Sequence, residues 1–290
     1  MMQMLQDNFG RIDYSEEGGG PTIVFVPGSW ATGSVWRPVI EPLAGRFRTI
    51  TTSLPGYGNT RDRRTSADRS IDRQAEIVEA VIRRAGGPVH LVGHSFGALA
   101  CLDVAMCGLH PLMSLTLIEP VTFGLLRQRG EVTLHAQFMA MRDEYFDAFE
   151  NGEREAARRI FDYLGGEGSF DNLAPRVRQY LVDTTASHVL DMRTEFDPNV
   201  SALANILLPS VVINGERTIQ PLQRSAEILS QSLANASLHT ISGAGHLLLT
   251  THSAQLAERI GSLVRETEVF AWSSLALAAP IGPRSFGFPV

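Results

Sequence analysis

The chain has 290 residues, 44% hydrophobic and 19% charged, which is enough apolar material for a large buried core in one or two domains. A formal net charge of -6 offers no basic stripe for nucleic acid, and the polar, acidic start Met1–Gly20 lacks the basic-then-apolar pattern of a signal peptide. No run approaches ~18 continuous apolar residues, and Cys101 and Cys107 have neither disulfide nor metal-type spacing, so the expectation is a cytoplasmic protein with two small buried thiols and no membrane or nucleic-acid partner.

The first half alternates strand and helix signals, as a parallel sheet requires. Thr22–Val26 is a short apolar run bounded by Pro21 and Pro27–Gly28, and reads as a buried strand. Trp36, Val39, Ile40, Leu43 and Phe47 then fall at helical spacing over 35–47. The β-branched stretch 47–54 ends at Pro55–Gly56, and the Arg- and Asp-rich stretch 61–69 reads as a solvated loop. Ile71, Ala75, Val78 and Ile82 mark a helix face that stops at Gly86–Gly87. Val89–Val92 is the next strand, 98–106 a helix apolar on nearly every side, and Leu115–Ile118 a further strand.

From about 123 to 207 the strand signal disappears. Helical runs over 132–150, 153–164 and 175–189 replace it, and the βα rhythm resumes with strands at 210–214 and 238–241 and helices at 221–233 and 252–264. The expected organisation is therefore a core of residues 1–122 and 208–266 with an inserted helical cap, 123–207. The apolar tail 267–290, with Pro280 and Pro283, fits none of this; packing on the body, a homodimer contact and disorder all remain open for it.

Gly93–His94–Ser95–Phe96–Gly97 matches G-x-S-x-G, and it sits between a strand and a helix. That setting gives the motif its mechanical meaning: a strained turn exposes the serine above the sheet, and the glycines let strand and helix approach. The backbone N–H of Phe96 would then face the same spot from the helix start. Serine needs a base to attack at neutral pH. Of eight histidines, His246 follows a strand end in the loop Ser242–Gly243–Ala244–Gly245 and is the best placed; His94 should point away from the turn, and His252 is a distant second.

These pieces resemble the α/β-hydrolase superfamily over about residues 10–265, which implies an α/β fold with a mostly parallel sheet flanked by helices. Val26–Pro27–Gly28–Ser29–Trp30 looks like that family's oxyanion loop, with Pro27 in place of its usual histidine and Ser29 as the second N–H donor. Leu54–Pro55–Gly56–Tyr57–Gly58 is similar to its D-x-P-G-x-G loop, with Ser53 in place of the aspartate. The family's acid usually follows the seventh strand; the matching segment Gly215–Pro221 is one residue shorter, and Thr218 stands where that aspartate belongs. Some members carry the acid after the sixth strand, where this chain has Glu119. Glu119 is the preferred acid, Glu216 the second choice, and a weakened or absent acid the third.

The resemblance implies a serine hydrolase acting on an ester-like bond, with no metal or organic cofactor and a small-molecule substrate. A partly apolar, small to medium substrate is expected against Trp30, Phe138, Met141, Phe146 and Phe149, although for any single cap residue on that list helical spacing favours ordinary helix packing. Cleavage of a carbon–carbon bond, acyl transfer or perhydrolysis on the same residues, and a non-catalytic ligand-binding protein on this scaffold remain competing readings.

Overall fold

The computed structural model describes residues 3–7 and 10–278. Its centre is an eight-stranded sheet: β1 (Gln3–Asp7), β2 (Gly10–Glu17), β3 (Thr22–Val26), β4 (Arg48–Thr52), β5 (Val89–His94), β6 (Leu112–Ile118), β7 (Ser210–Gly215) and β8 (Ala236–Ile241), in the spatial order β1-β2-β4-β3-β5-β6-β7-β8. β1 pairs with β2, and β2 with β4, in antiparallel fashion; every other pairing is parallel. The all-buried runs Thr22–Val26 and Val89–His94 are what a strand covered on both faces must look like.

The strand order reverses at β3: β4 lies on one side of it and β5 on the other. In open parallel sheets the crevice at such a switch point, beyond the carboxyl ends of the strands, is where ligands bind. Here that crevice lies between the loop leaving Val26 and the turn leaving His94.

β1 and β2 went unread in the sequence because Gly10–Glu17 offers only Ile12 and Tyr14 as apolar residues. Both are buried, a period-two signal too short to stand out from a polar leader. The helix expected over 35–47 is broken into a 3-10 turn (Gly33–Trp36), one helical turn α1 (Arg37–Ile40) and a second 3-10 turn (Glu41–Leu43). Pro38 and Pro42 lack the N–H groups that a continuous helix needs.

Helices α2 (Asp72–Ala85) and α3 (Phe96–Cys107) pack together against the sheet. α3 buries Leu99, Leu102 and Val104, each contributing roughly 1.5–3 kcal/mol by removal from water. Cys101 is buried within it, but Cys107, expected buried, is exposed at the last turn, where the helix leaves the sheet at Gly108.

Between β6 and β7 the regular elements among the described residues are all helices: α4 (Gly124–Gln128), α5 (Val132–Glu150), α6 (Ala157–Gly165), α7 (Pro175–Asp183), α8 (Thr185–Met192) and α9 (Val200–Leu203). The single run expected over 175–189 is split at Thr184, where the Thr184 and Thr185 hydroxyls donate to the carbonyls of Tyr180 and Leu181, bonding that bends helices. After β7 come α10 (Gln220–Ser232), α11 (Leu248–Thr251) and α12 (Ser253–Ala278). α12 runs well past the expected end at Val264, because 265–278 holds no Gly or Pro; it takes in the first part of the tail, and residues 279–290 lie outside the described ones. No helix among the described residues is long and apolar enough to cross a membrane.

Candidate active site

Ser95 sits between β5 and α3 with φ 52° and ψ -121°, a conformation that L-residues rarely adopt. Strain of this kind persists only where the surroundings over-determine it. They do: Ser95 N donates to the carbonyl of Ile118 on β6 at 2.8 Å, and its own carbonyl accepts from Ala98 N at 3.0 Å. A Cβ on Gly97 would lie 2.2 Å from the Pro27 carbonyl oxygen, so only glycine lets the helix start meet the loop after β3.

The same closeness brings Ser29 to the serine. A Cβ on Gly28 would stand 2.8 Å from Ser95 Cβ, which places the Gly28–Ser29 backbone directly beside the turn. Phe96 opens α3, whose first-turn N–H groups have no partners within the helix and carry its positive dipole end.

Ser95 Oγ lies 3.1 Å from His246 Nε2, and His246 Nδ1 lies 2.9 Å from Glu119 Oε2. A carboxylate only accepts, so Nδ1 carries the proton and Nε2 is free to accept from the serine hydroxyl. Glu119 is 1% exposed and stands just past β6 with φ 49°. Its Oε1 accepts from Gly215 N at 2.7 Å, and its Oε2 also accepts from the Thr218 hydroxyl at 2.7 Å. Thr218 therefore serves as a hydrogen-bond donor to a carboxylate contributed by the neighbouring strand end.

Other sequence candidates have different partners. Glu216 is exposed and accepts from Ser242 Oγ at 2.9 Å and Gly243 N at 2.7 Å, bonds that hold its carboxyl below the usual range. It braces the loop that carries His246 and does not touch the imidazole. His94 turns its Nε2 to the His246 carbonyl at 3.1 Å; burial, then the adjacent His246, depress it to about 3, so it stays neutral. His252 pairs with the Thr251 hydroxyl at 2.8 Å. Ser53 accepts from Gly33 N at 3.1 Å, and the carboxylate beside it comes from Asp13 on β2, whose Oδ2 accepts from Asn59 N at 2.7 Å.

The sequence profile of the alpha/beta hydrolase family matches residues 23–259. The chain belongs to the alpha/beta hydrolase family. Among curated relatives, it is 35% identical over 102 residues to the pimeloyl-[acyl-carrier protein] methyl ester esterase of Methylococcus capsulatus, covering 35% of this chain and 37% of that protein. It is 29% identical over 116 residues to the dihydrolipoyllysine-residue acetyltransferase component of the acetoin cleaving system of Cupriavidus necator, covering 39% of this chain and 30% of that protein. The chain thus spans about a third of the length of these relatives. An alpha/beta hydrolase structure from Sphaerobacter thermophilus superposes with a TM-score of 0.66 at 22% identity, over 88% of this chain and 99% of that one, a likeness of fold.

Within this alpha/beta hydrolase, the residues expected to meet substrate divide into two sets. Trp30 and Phe138 lie where the helical segment meets the sheet's own core, each packed against both clusters, and Phe138 stacks on Phe123 at 3.8 Å. Met141, by contrast, is buried with Tyr145, Ala148 and Ile160, and Phe149 packs against the same cluster. The Phe146 ring carries the guanidinium groups of Arg142 and Arg193 at 5.5 Å and 5.2 Å. All three thus make contacts within the helical segment itself.

Sequence reasoning missed a buried polar group next to Ser29. Asp191, on α8, accepts from Ser29 Oγ and from Tyr57 OH, each at 2.6 Å, and is ion-paired with Arg64. The Arg64 and Asp191 side chains are 2% and 1% exposed. The stretch expected to be a solvated loop thus buries one of its arginines, and Asp62 binds the same guanidinium at 2.8 Å. Burial pushes the Asp191 carboxyl up, against Arg64 and the two hydroxyls, which pull it down. The only signal in the sequence is a lone acid between Leu190 and Met192.

Proposed function

We propose that the chain is a serine hydrolase that cleaves an ester-like acyl bond in a small to medium, partly apolar substrate. The observation that carries this reading is the unbroken hydrogen-bonded chain from Ser95 Oγ through His246 to Glu119, on a strained turn at a helix start. A nucleophile bonded to a base that is itself oriented by a third group is the arrangement that activates serine.

In the proposed reaction His246 Nε2 takes the Ser95 proton as Oγ attacks the carbonyl carbon. The N–H groups of Ser29 and Phe96 stabilise the oxygen that becomes negative, and Glu119 stabilises the imidazolium. His246 then gives the proton to the departing alcohol. Water, deprotonated by His246, attacks the acyl-enzyme and releases the acid, restoring the Ser95 hydroxyl. The apolar faces of Trp30 and Phe138 support an apolar acyl or alkyl group. The partial likeness to a methyl ester esterase supports the ester bond.

The test is hydrolysis of a series of p-nitrophenyl esters from acetate to dodecanoate by the wild type and by Ser95→Ala. Turnover that peaks at short to medium chains and falls to background in the variant supports the reading. Equal activity of the two proteins would overturn it.

A further inference from the structure

Two consecutive residues of the loop after β3 are tied to one face of the helical segment. Ser29 donates its hydroxyl to Asp191 Oδ2 at 2.6 Å, and the Trp30 ring stacks on His188 with centroids 3.5 Å apart and planes 8° from parallel. His188 and Asp191 are three residues apart on α8 and so share a helix face. Trp30 has φ 60°, a conformation that a bulky residue adopts only under external constraint. Asp191 is in turn anchored from the sheet side by Tyr57 OH at 2.6 Å and by Arg64, itself held by Asp62 and by the Pro55 carbonyl at 3.1 Å.

We propose that Asp191 is a positioning residue: through the Ser29 hydroxyl it fixes the loop Pro27–Trp30, so that the Ser29 N–H is aimed at the oxygen of the reacting carbonyl. The proposal rests on the hydrolase reading above. Asp191 does not touch substrate or Ser95; it acts through Ser29. The physical case is that an oxyanion donor works only when fixed before charge develops. A free loop Pro27–Trp30, with Gly28 at its centre, would have to be ordered in every turnover. With Asp191 in place, the helical segment completes the site by holding a donor as well as by covering the nucleophile.

The experiment compares wild type, Ser29→Ala, Asp191→Asn and the double variant, in steady-state ester hydrolysis and in the rate of Ser95 phosphonylation by a fluorophosphonate. Ser29→Ala removes a single hydroxyl and keeps the backbone N–H. The expected result is a drop in kcat of roughly tenfold or more with KM changed less than about threefold, since the lost alignment acts on the transition state. Asp191→Asn should do at least as much, and the double variant should be no worse than Asp191→Asn, because both substitutions cut one connection. If Asp191→Asn fails to fold, Ser29→Ala decides by itself. Unchanged kcat in Ser29→Ala, or effects of the two substitutions that multiply, would overturn the proposal while leaving the hydrolase reading intact. A wild type that neither hydrolyses esters nor takes up the probe at Ser95 would instead overturn the hydrolase reading, and the positioning role with it.

Discussion

Replacing Glu119 by glutamine changes one oxygen to an NH2 group in a site with no spare room, and the consequence can be followed atom by atom. Gly215 N donates to Oε1 at 2.7 Å, so the amide oxygen must stay there. The NH2 group then takes the Oε2 position, where Thr218 Oγ1 and His246 Nδ1 both stand within 2.9 Å. Thr218 can turn its hydroxyl and accept. The imidazole can accept only by moving its proton to Nε2, which then faces Ser95 and can no longer take the serine proton. The equivalent exchange in a serine protease triad costs about 10⁴ in kcat through this change of tautomer. We expect a fall of roughly 10³- to 10⁴-fold here, about 4–5.5 kcal/mol of transition-state stabilisation. The melting temperature should stay within a few degrees, since shape and most hydrogen bonds remain. Ester hydrolysis under saturating substrate measures the first quantity and calorimetry the second. A folded variant within tenfold of wild-type kcat would refute the assignment of Glu119 as the acid.

Thr218→Val removes one donor from the buried Glu119 carboxylate while keeping the volume, and should lower kcat by about three- to tenfold, well short of Glu119→Gln; an effect as large as that of Glu119→Gln in the same assay would contradict this. Gly97→Ala forces a Cβ to 2.2 Å from the Pro27 carbonyl, a backbone atom that cannot swing away, so chemical denaturation should show a loss of about 1–3 kcal/mol or more; unchanged stability would contradict the close approach. Burial holds His94 and His188 neutral down to about 3, helped by His246 beside the first and Arg64 near the second. The unfolded chain protonates both near 6.5, so stability is full above that pH and falls as pH drops toward 3, by up to about 1.4 kcal/mol per pH unit for each histidine. Denaturation midpoints between pH 6.5 and 5 should therefore decline in the wild type and decline less in His188→Gln; a flat wild-type profile would contradict the buried, neutral state.

The central strands Thr22–Val26, Val89–His94 and Ser210–Gly215 were legible because a strand covered on both faces is written as a largely apolar run between turn residues, whereas Ala236–Ile241, exposed along most of its length, showed only by its place before the His246 loop. The turn at Ser95 was legible from its glycines: a strained turn between a strand and a helix needs them at fixed places on either side. Glu119 could be picked out by its position just after a strand, although nothing in Leu117–Ile118–Glu119–Pro120 indicates that it would reach across to Thr218 and Gly215. The strand at Gly10–Glu17 was hidden because an antiparallel strand near the sheet's edge needs only a few inward-facing apolar residues. Asp191 and Arg64 were the least legible of all. They are 127 positions apart, and a buried ion pair looks in sequence like two ordinary surface charges. Charge patterning reports the solvent a residue is expected to meet; only the fold shows when another charge has replaced that solvent.

Peptide mapping after rapid acid quench of a slow ester substrate tests the proposed role of Ser95 as nucleophile most directly. The expected result is an added acyl mass on the peptide containing Ser95 in the wild type, and none in Ser95→Ala or His246→Ala. An acyl group on another residue, or ester turnover that survives in Ser95→Ala, would contradict it.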